Sequence, residues 1–335
     1  MKPTVKDIAK AANVSPATVS NALNNRKGVS DDVRRLVYDT AGELGYVKEI
    51  SSERKVIRFV VYKRHGFVLS DTPFFSSLIE GIEKQCRLQG FELIVTHINT
   101  NDSDYKETIE VINRDNSSGI LMLATEMTET DIGMFQPFMV PLVVLDNHFR
   151  GSTFDSVLIN NTDAAFKATK FLVDYGHQKI GYLQSSFRIN NFEFRRQGYL
   201  ESLRCYDLAL EDKYQISLQP TIDGAYNDMK TFLQVSDINL PTAFFADNDI
   251  IAWGAMKAIL EKGIRIPDDI SLVGFDDMPF CEMTNPRLTT IKVFKQEMGS
   301  AAVKRLIEKI GCRDNQVQKI ELDTELIIRD SQIRR

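Results

Sequence analysis

The chain has 335 residues, 43% of them hydrophobic and 26% charged, with a net charge of −5. That length supports two or three cores, and the composition is ordinary for a soluble globular protein. No apolar run reaches the ~18 residues of a membrane span and no apolar signal core opens the chain, so a cytoplasmic protein is expected.

The first element reads as a short helix in which Val5, Ile8, Ala9 and Ala12 form one apolar stripe. Asn13-Val14-Ser15 breaks that period, Ser15 is suited to an N-cap, and Pro16 suits a first helical turn. Ala17 to Leu23 forms a second helix, with Val19, Ala22 and Leu23 facing the first. The small residues Ala17, Thr18 and Ser20 let it lie close to base edges, as in a helix-turn-helix. A third helix follows Ser30, with Val33, Leu36, Val37, Ala41 and Leu44 closing the bundle. A plain three-helix bundle has the same spacing, but charge separates the two readings. Residues 1–58 carry 11 Lys and Arg against 7 Asp and Glu, which leaves the remainder at −9. A basic headpiece on an acidic body suits a partner that carries phosphates.

The run KPTVKDIAKAANVSPATVSNALNNRKGVS, continuing through VRRLVYDTAGELGY, resembles the DNA-binding headpiece of the LacI/GalR family of bacterial repressors. The resemblance extends over nearly the whole chain. It implies that Ala17 and Asn21 meet bases, where Asn favours adenine and the Arg of many relatives favours guanine. Thr4, Ser15, Thr18, Asn24, Lys27 and Arg34 are then phosphate contacts, with Val5, Pro16 and Ser20 on the same surface. The chain departs from the family in its linker, VKEISSERK, which is shorter and lacks a leucine between Gly45 and Val56. Ile50 is the one apolar residue suited to wedge into a minor groove. A solvated tether is therefore expected at 47–56.

From Val56 strand and helix alternate. VIRFVVY, FELIVTHI, GILMLA and PLVVLD are strands, and a second set begins with VLINN and runs through KIGYLQ, YQISL, TAFFA and ISLVGF. Such alternation predicts parallel sheets covered on both faces. The expected fold is an all-α helix-turn-helix headpiece (1–46) followed by an α/β core of two doubly wound lobes (57–335). The resemblance implies the architecture of periplasmic binding proteins, with chain crossings between lobes. On that analogy LTTIKV returns to the first lobe (57–158 and 289–320), and ELIIRD belongs to the second (159–288 and 321–335).

Doubly wound sheets place ligands at the carboxyl ends of their strands. Asp146 in VVLD, Arg195, Asn248 in ADND and Asp276 in GFDD occupy such positions and match effector contacts of the family. Phe74, Phe75, Tyr226 and Trp253 are candidate apolar walls, and of the adjacent Arg195 and Arg196 only one can face the cleft. Each also has a plain structural reading: cap, turn former or core. Two carboxylates against one guanidinium favour a neutral sugar over a phosphate ester. His65, His97, His148 and His177 lack metal-ligand spacing, the four cysteines (Cys86, Cys205, Cys281, Cys312) are unpaired in spacing, and no nucleophile elbow or P-loop occurs. No metal or cofactor is expected, and no catalysis. The function expected is a sequence-specific transcriptional regulator of carbohydrate genes, a homodimer or tetramer on near-palindromic DNA, controlled by a small effector. Its rivals are a regulator whose body answers a protein partner, and a sugar-processing enzyme with a DNA-binding headpiece.

Overall fold

The structure, a computed structural model, describes residues 3–23, 28–44, 46, 55–69, 73–114, 116–135, 140–235, 239–311 and 316–335. The expected positions Asn24, Lys27, Ile50 and Cys312 lie outside them, as does most of the linker.

Three helices form the headpiece: α1 (Val5–Ala11), α2 (Pro16–Leu23) and α3 (Asp31–Glu43). Ile8, Ala9, Ala12, Val19, Ala22, Leu23, Val37 and Ala41 make its core. The third-helix stripe is therefore partly as read, but Leu36 and Leu44 are 47% and 40% exposed. Thr4 opens α1, its N–H and hydroxyl both donating to the Asp7 carboxylate at 2.8 and 2.7 Å. Asn13 turns the chain at a positive φ of 52°, a conformation that Asn tolerates better than most residues.

The body contains β1 (Val56–Lys63), α4 (Pro73–Leu88), β2 (Glu92–Asn99), α5 (Tyr105–Asn113), β3 (Gly119–Leu123), α6 (Glu129–Gly133), β4 (Leu142–Leu145) and β5 (Asp155–Ile159). It continues with α7 (Asn161–Asp174), β6 (Ile180–Ser185), α8 (Asn190–Cys205), β7 (Gln215–Leu218), α9 (Ile222–Gln234), β8 (Ala243–Ala246), α10 (Asp249–Glu261) and β9 (Ser271–Asp276). The last elements are β10 (Thr289–Lys292), α11 (Lys295–Gly311), β11 (Lys319–Leu322) and β12 (Glu325–Ile327). Two six-stranded sheets result, in the orders β11-β5-β4-β3-β1-β2 and β12-β10-β9-β8-β6-β7. Among the described residues all pairings are parallel except β10 with β12. The central strands GILML, LVVL and AFFA are buried at every position, as expected where helices cover both faces.

Two assignments to lobes need correction. The strand VLINN closes the first lobe rather than opening the second, since β5 pairs with β4. LTTIKV does not return to the first lobe, because β10 lies beside β9 from Thr289↔Val273 to Lys292↔Asp276. Hydrogen bonds hold it there: Thr290 Oγ1 donates to Asp249 Oδ1 at 2.6 Å, and Thr289 N–H donates to Ser331 Oγ at 2.8 Å. The return comes one element later, with α11, which crosses α4 so closely that a Cβ at Gly81 would strike the Gln296 main chain. No helix among the described residues is long and apolar enough to cross a membrane.

Candidate functional site

On the headpiece, α2 exposes Pro16 and Ala17, with Thr18, Ser20 and Asn21 half-buried on the same element. Ser15 caps it, accepting the Thr18 N–H at 3.0 Å. Four expected phosphate contacts have partners inside the headpiece, the Ser15 and Thr18 hydroxyls sharing a hydrogen bond of 2.8 Å. The Thr4 hydroxyl proton goes to Asp7, and Arg34 donates to the Ala22 and Val29 carbonyls at 3.3 and 3.5 Å. Tyr38 also donates to Ala22 O, at 3.0 Å, so Arg34 and Tyr38 together fix the end of α2. Val5 is half-buried against the headpiece core.

In the body, six of the eight expected effector residues meet at one cleft between the lobes: Phe74, Phe75, Asp146, Arg195, Asn248 and Asp276. Asp146 directly follows β4 with φ 61° and Asp276 ends β9 with φ 110°. Strained left-handed backbone at both strand ends is a mark of a functional site. Arg195 reaches in from α8 and is 4% exposed. It donates to Asn161 Oδ1 at 2.9 Å, to the Asp247 carbonyl, and to Asp276 Oδ1 at 3.4 Å, and it lies 3.6 Å over the Phe275 ring. Phe74 and Phe75 meet edge to face at 5.0 Å.

Burial pushes the Asp146 carboxyl up to about 6, against the opposing pull of Thr125 Oγ1, which donates at 2.7 Å, and of Arg195. Burial also raises Asp276, although Arg195 and Lys295 favour its charged form. The cleft therefore holds carboxyls whose charge is costly without a donor from a ligand.

Two expected walls lie elsewhere. Tyr226 sits on the flank of α9, its hydroxyl donating to Glu261 and accepting from Lys230 at 2.9 Å. Ala225 and Met229 take the buried face of α9, which leaves Tyr226 beside α10. Trp253 stacks on Phe280 at 4.6 Å, while Ile250 turns toward the cleft. Asn248 caps α10 through the Ile251 N–H at 2.9 Å and lines the cleft too. Thr125, Asn191, Phe192 and Met278 were missed. Asn191 stands one helical turn before Arg195 and was legible from that spacing. The space enclosed is about 40 Å³, far below the ~300–1,000 Å³ of ligand pockets. A ligand of sugar size must part the lobes to enter.

A model described as bacterial regulatory proteins, lacI family, matches residues 4–49, and one described as a periplasmic binding protein-like domain matches 169–332. The chain is 32% identical over 333 residues to the HTH-type transcriptional repressor PurR of Mannheimia succiniciproducens, covering 98% of each. This chain belongs to the LacI family of bacterial regulatory proteins. Among solved structures, a LacI-family transcriptional regulator from Enterococcus faecium with bound ribose shares 25% identity at a TM-score of 0.70. The match covers 84% of this chain and 99% of that one. The lac repressor dimer bound to operator and the anti-inducer ONPF shares the fold, with 23% identity, a TM-score of 0.70 and coverage of 99% and 100%. The LacI-family chain is thus a DNA-binding transcriptional regulator with a ligand-binding core, and not an enzyme. The expected fold class is the observed one.

Proposed function

We propose that this regulator acts in the cytoplasm as a homodimer on a near-palindromic operator, and that a neutral sugar in the inter-lobe cleft sets its grip on DNA. One observation carries the effector class: among the described residues, the cleft lining pairs Asp146 and Asp276 with a single guanidinium, Arg195, beside aromatic walls. Carboxylates and Asn accept sugar hydroxyls, Arg donates to them, and Phe74, Phe75 and Phe192 offer faces to a ring's C–H side. A phosphate ester would meet two carboxylates, with Arg195 already engaged by Asp276 and Lys295 by the Asp276 carbonyl. The ribose bound by the similar Enterococcus faecium regulator supports the same class. Dimerisation is supported by the need for two reading helices per operator and by the edge strand β2, where Ile94 and Val95 are 41% and 40% exposed.

The test is isothermal titration of the full chain with neutral sugars, sugar phosphates and purines. Saturable binding of a neutral sugar, lost in Asp146→Ala, is expected; binding confined to an anion or a purine overturns the reading. Selection from random duplexes should enrich a site with two related half-sites, and enrichment of an asymmetric single site overturns the dimer.

A further inference from the structure

Helix α8 carries two adjacent arginines that face different ways. Arg195 enters the effector cleft, whereas Arg196 begins a stripe with Leu200 and Arg204 at successive four-residue steps. That stripe borders a separate cavity of about 270 Å³, completed by Glu193, Phe194 and, from the other lobe, Arg150. None of its members lines the effector cleft.

Three guanidiniums therefore converge on one pocket. Its one acid, Glu193, is already engaged by Arg188 Nε at 2.8 Å. Among the described residues, Arg150, Arg196 and Arg204 have neither an ion pair nor a hydrogen bond to a carboxylate. His148, a neighbour of the pocket, stacks on Phe194 at 5.1 Å and 9° and is held below the usual histidine range first by burial, with Lys319 and then Arg150 adding to it against Glu321. The same stack closes the lobe seam beside the pocket, since His148 follows β4 and Phe194 lies on α8.

We propose that this pocket is a second ligand site, which takes a small phosphate-bearing anion between Arg150 of the first lobe and Arg196 and Arg204 of the second. Guanidinium forks match phosphate oxygens in pairs, and the charge left uncompensated here has no internal partner. Phe194 and Leu200 give an organic remainder apolar surface. Because the lining comes from both lobes, the anion binds the closed arrangement better than an open one. By linkage it then changes the affinity of whatever ligand the neighbouring cleft holds. The chemistry is opposite to that of the cleft, where two carboxylates face one arginine.

The test is titration of the full chain, free of DNA, with inorganic pyrophosphate at constant ionic strength set by chloride. One saturable site per chain is expected. Arg150→Gln, Arg196→Gln and Arg204→Gln should each weaken it about tenfold or more, as loss of a charge-assisted hydrogen bond does. Since these side chains are exposed or half-buried and unpartnered, each variant should melt at the parental temperature in chloride alone. The result that overturns the proposal is heat explained by dilution alone, or binding that survives the triple variant. Binding lost instead in Lys6→Gln/Lys10→Gln moves the anion to the headpiece and overturns it equally. Arg196→Lys should retain binding between the parental and Arg196→Gln values, whereas a purely structural role for Arg196 predicts no difference between the three.

Discussion

Asn191 of the second lobe donates one side-chain nitrogen to both the main-chain carbonyl and the carboxylate of Asp146 in the first, at 3.1 and 3.0 Å. A second amide crosses beside it, Asn190 Nδ2 to Asn147 Oδ1 at 2.9 Å. The lobes are thus clasped at the residues that a ligand must reach, so binding and lobe separation compete for the same acceptors. Asn191→Ala should leave the Asp146 carboxylate short of a buried donor. A loss of about 1–3 kcal/mol in urea unfolding is expected, together with faster hydrogen exchange along the α8 start.

The Asp146 carboxyl gives a pH signature. Burial lifts it from 3.8 to about 6, so between those values the folded chain holds a proton that the unfolded chain has released. Stability therefore falls as pH rises through this window and is level above it. Asp146→Asn removes the titration and retains the shape. Its stability relative to the parent should rise by about 2 kcal/mol between pH 4 and 6.5, read from unfolding curves at matched ionic strength. A constant difference across that range contradicts the assignment.

Glu126 titrates with the opposite sign. Its carboxylate accepts the main-chain N–H of Arg64, His65, Gly66, Val68 and Leu69 at 2.9–3.0 Å, which folds the loop after β1 around one side chain. Burial opposes the charge, but those N–H groups and His65 outweigh it and hold the carboxyl below its usual range. The stabilisation is present above the ordinary carboxylate pKa and is lost as pH falls through the depressed value. Glu126→Gln, which keeps one good acceptor oxygen, should cost about 2–4 kcal/mol at pH 7, and progressively less as pH falls below the ordinary carboxylate range. The loop it holds carries Phe67, stacked on Phe187 of the second lobe at 4.3 Å, so the variant should also loosen the lobe contact.

On the headpiece, base readout and phosphate contact separate by specificity. Asn21→Ala should reduce discrimination between operators by about 1–3 kcal/mol at one base pair, whereas Lys27→Ala should weaken every duplex alike and lower the salt slope by about one. Binding measured at several salt concentrations on selected and scrambled duplexes distinguishes them. Equal losses on all sequences from both variants would contradict the division. Ser15→Ala removes the cap on Thr18 N–H and should lower headpiece stability by about 1 kcal/mol.

What the sequence determined by itself is what local periodicity and chemistry specify. The cap at Ser15, the start of the third helix after Ser30, the alternation of strand and helix, and the acidic residues closing VVLD and GFDD were all readable along the chain, because a cap, an amphipathic stripe or a strand end is set by residues within a turn or two of each other. Tertiary structure alone decided partnership. LTTIKV reads as a strand in either lobe, and only its buried threonines, paired with Asp249 and Ser331 far along the chain, place it beside β9. Tyr226 and Trp253 were apolar enough to serve as walls, but the helix face each occupies follows from α9 packing on α10 and from Phe280, not from spacing. The same is true of the two cavities flanking α8: one helix brings Arg195 to two carboxylates and Arg196 to two more arginines, and the opposing lobe supplies the difference.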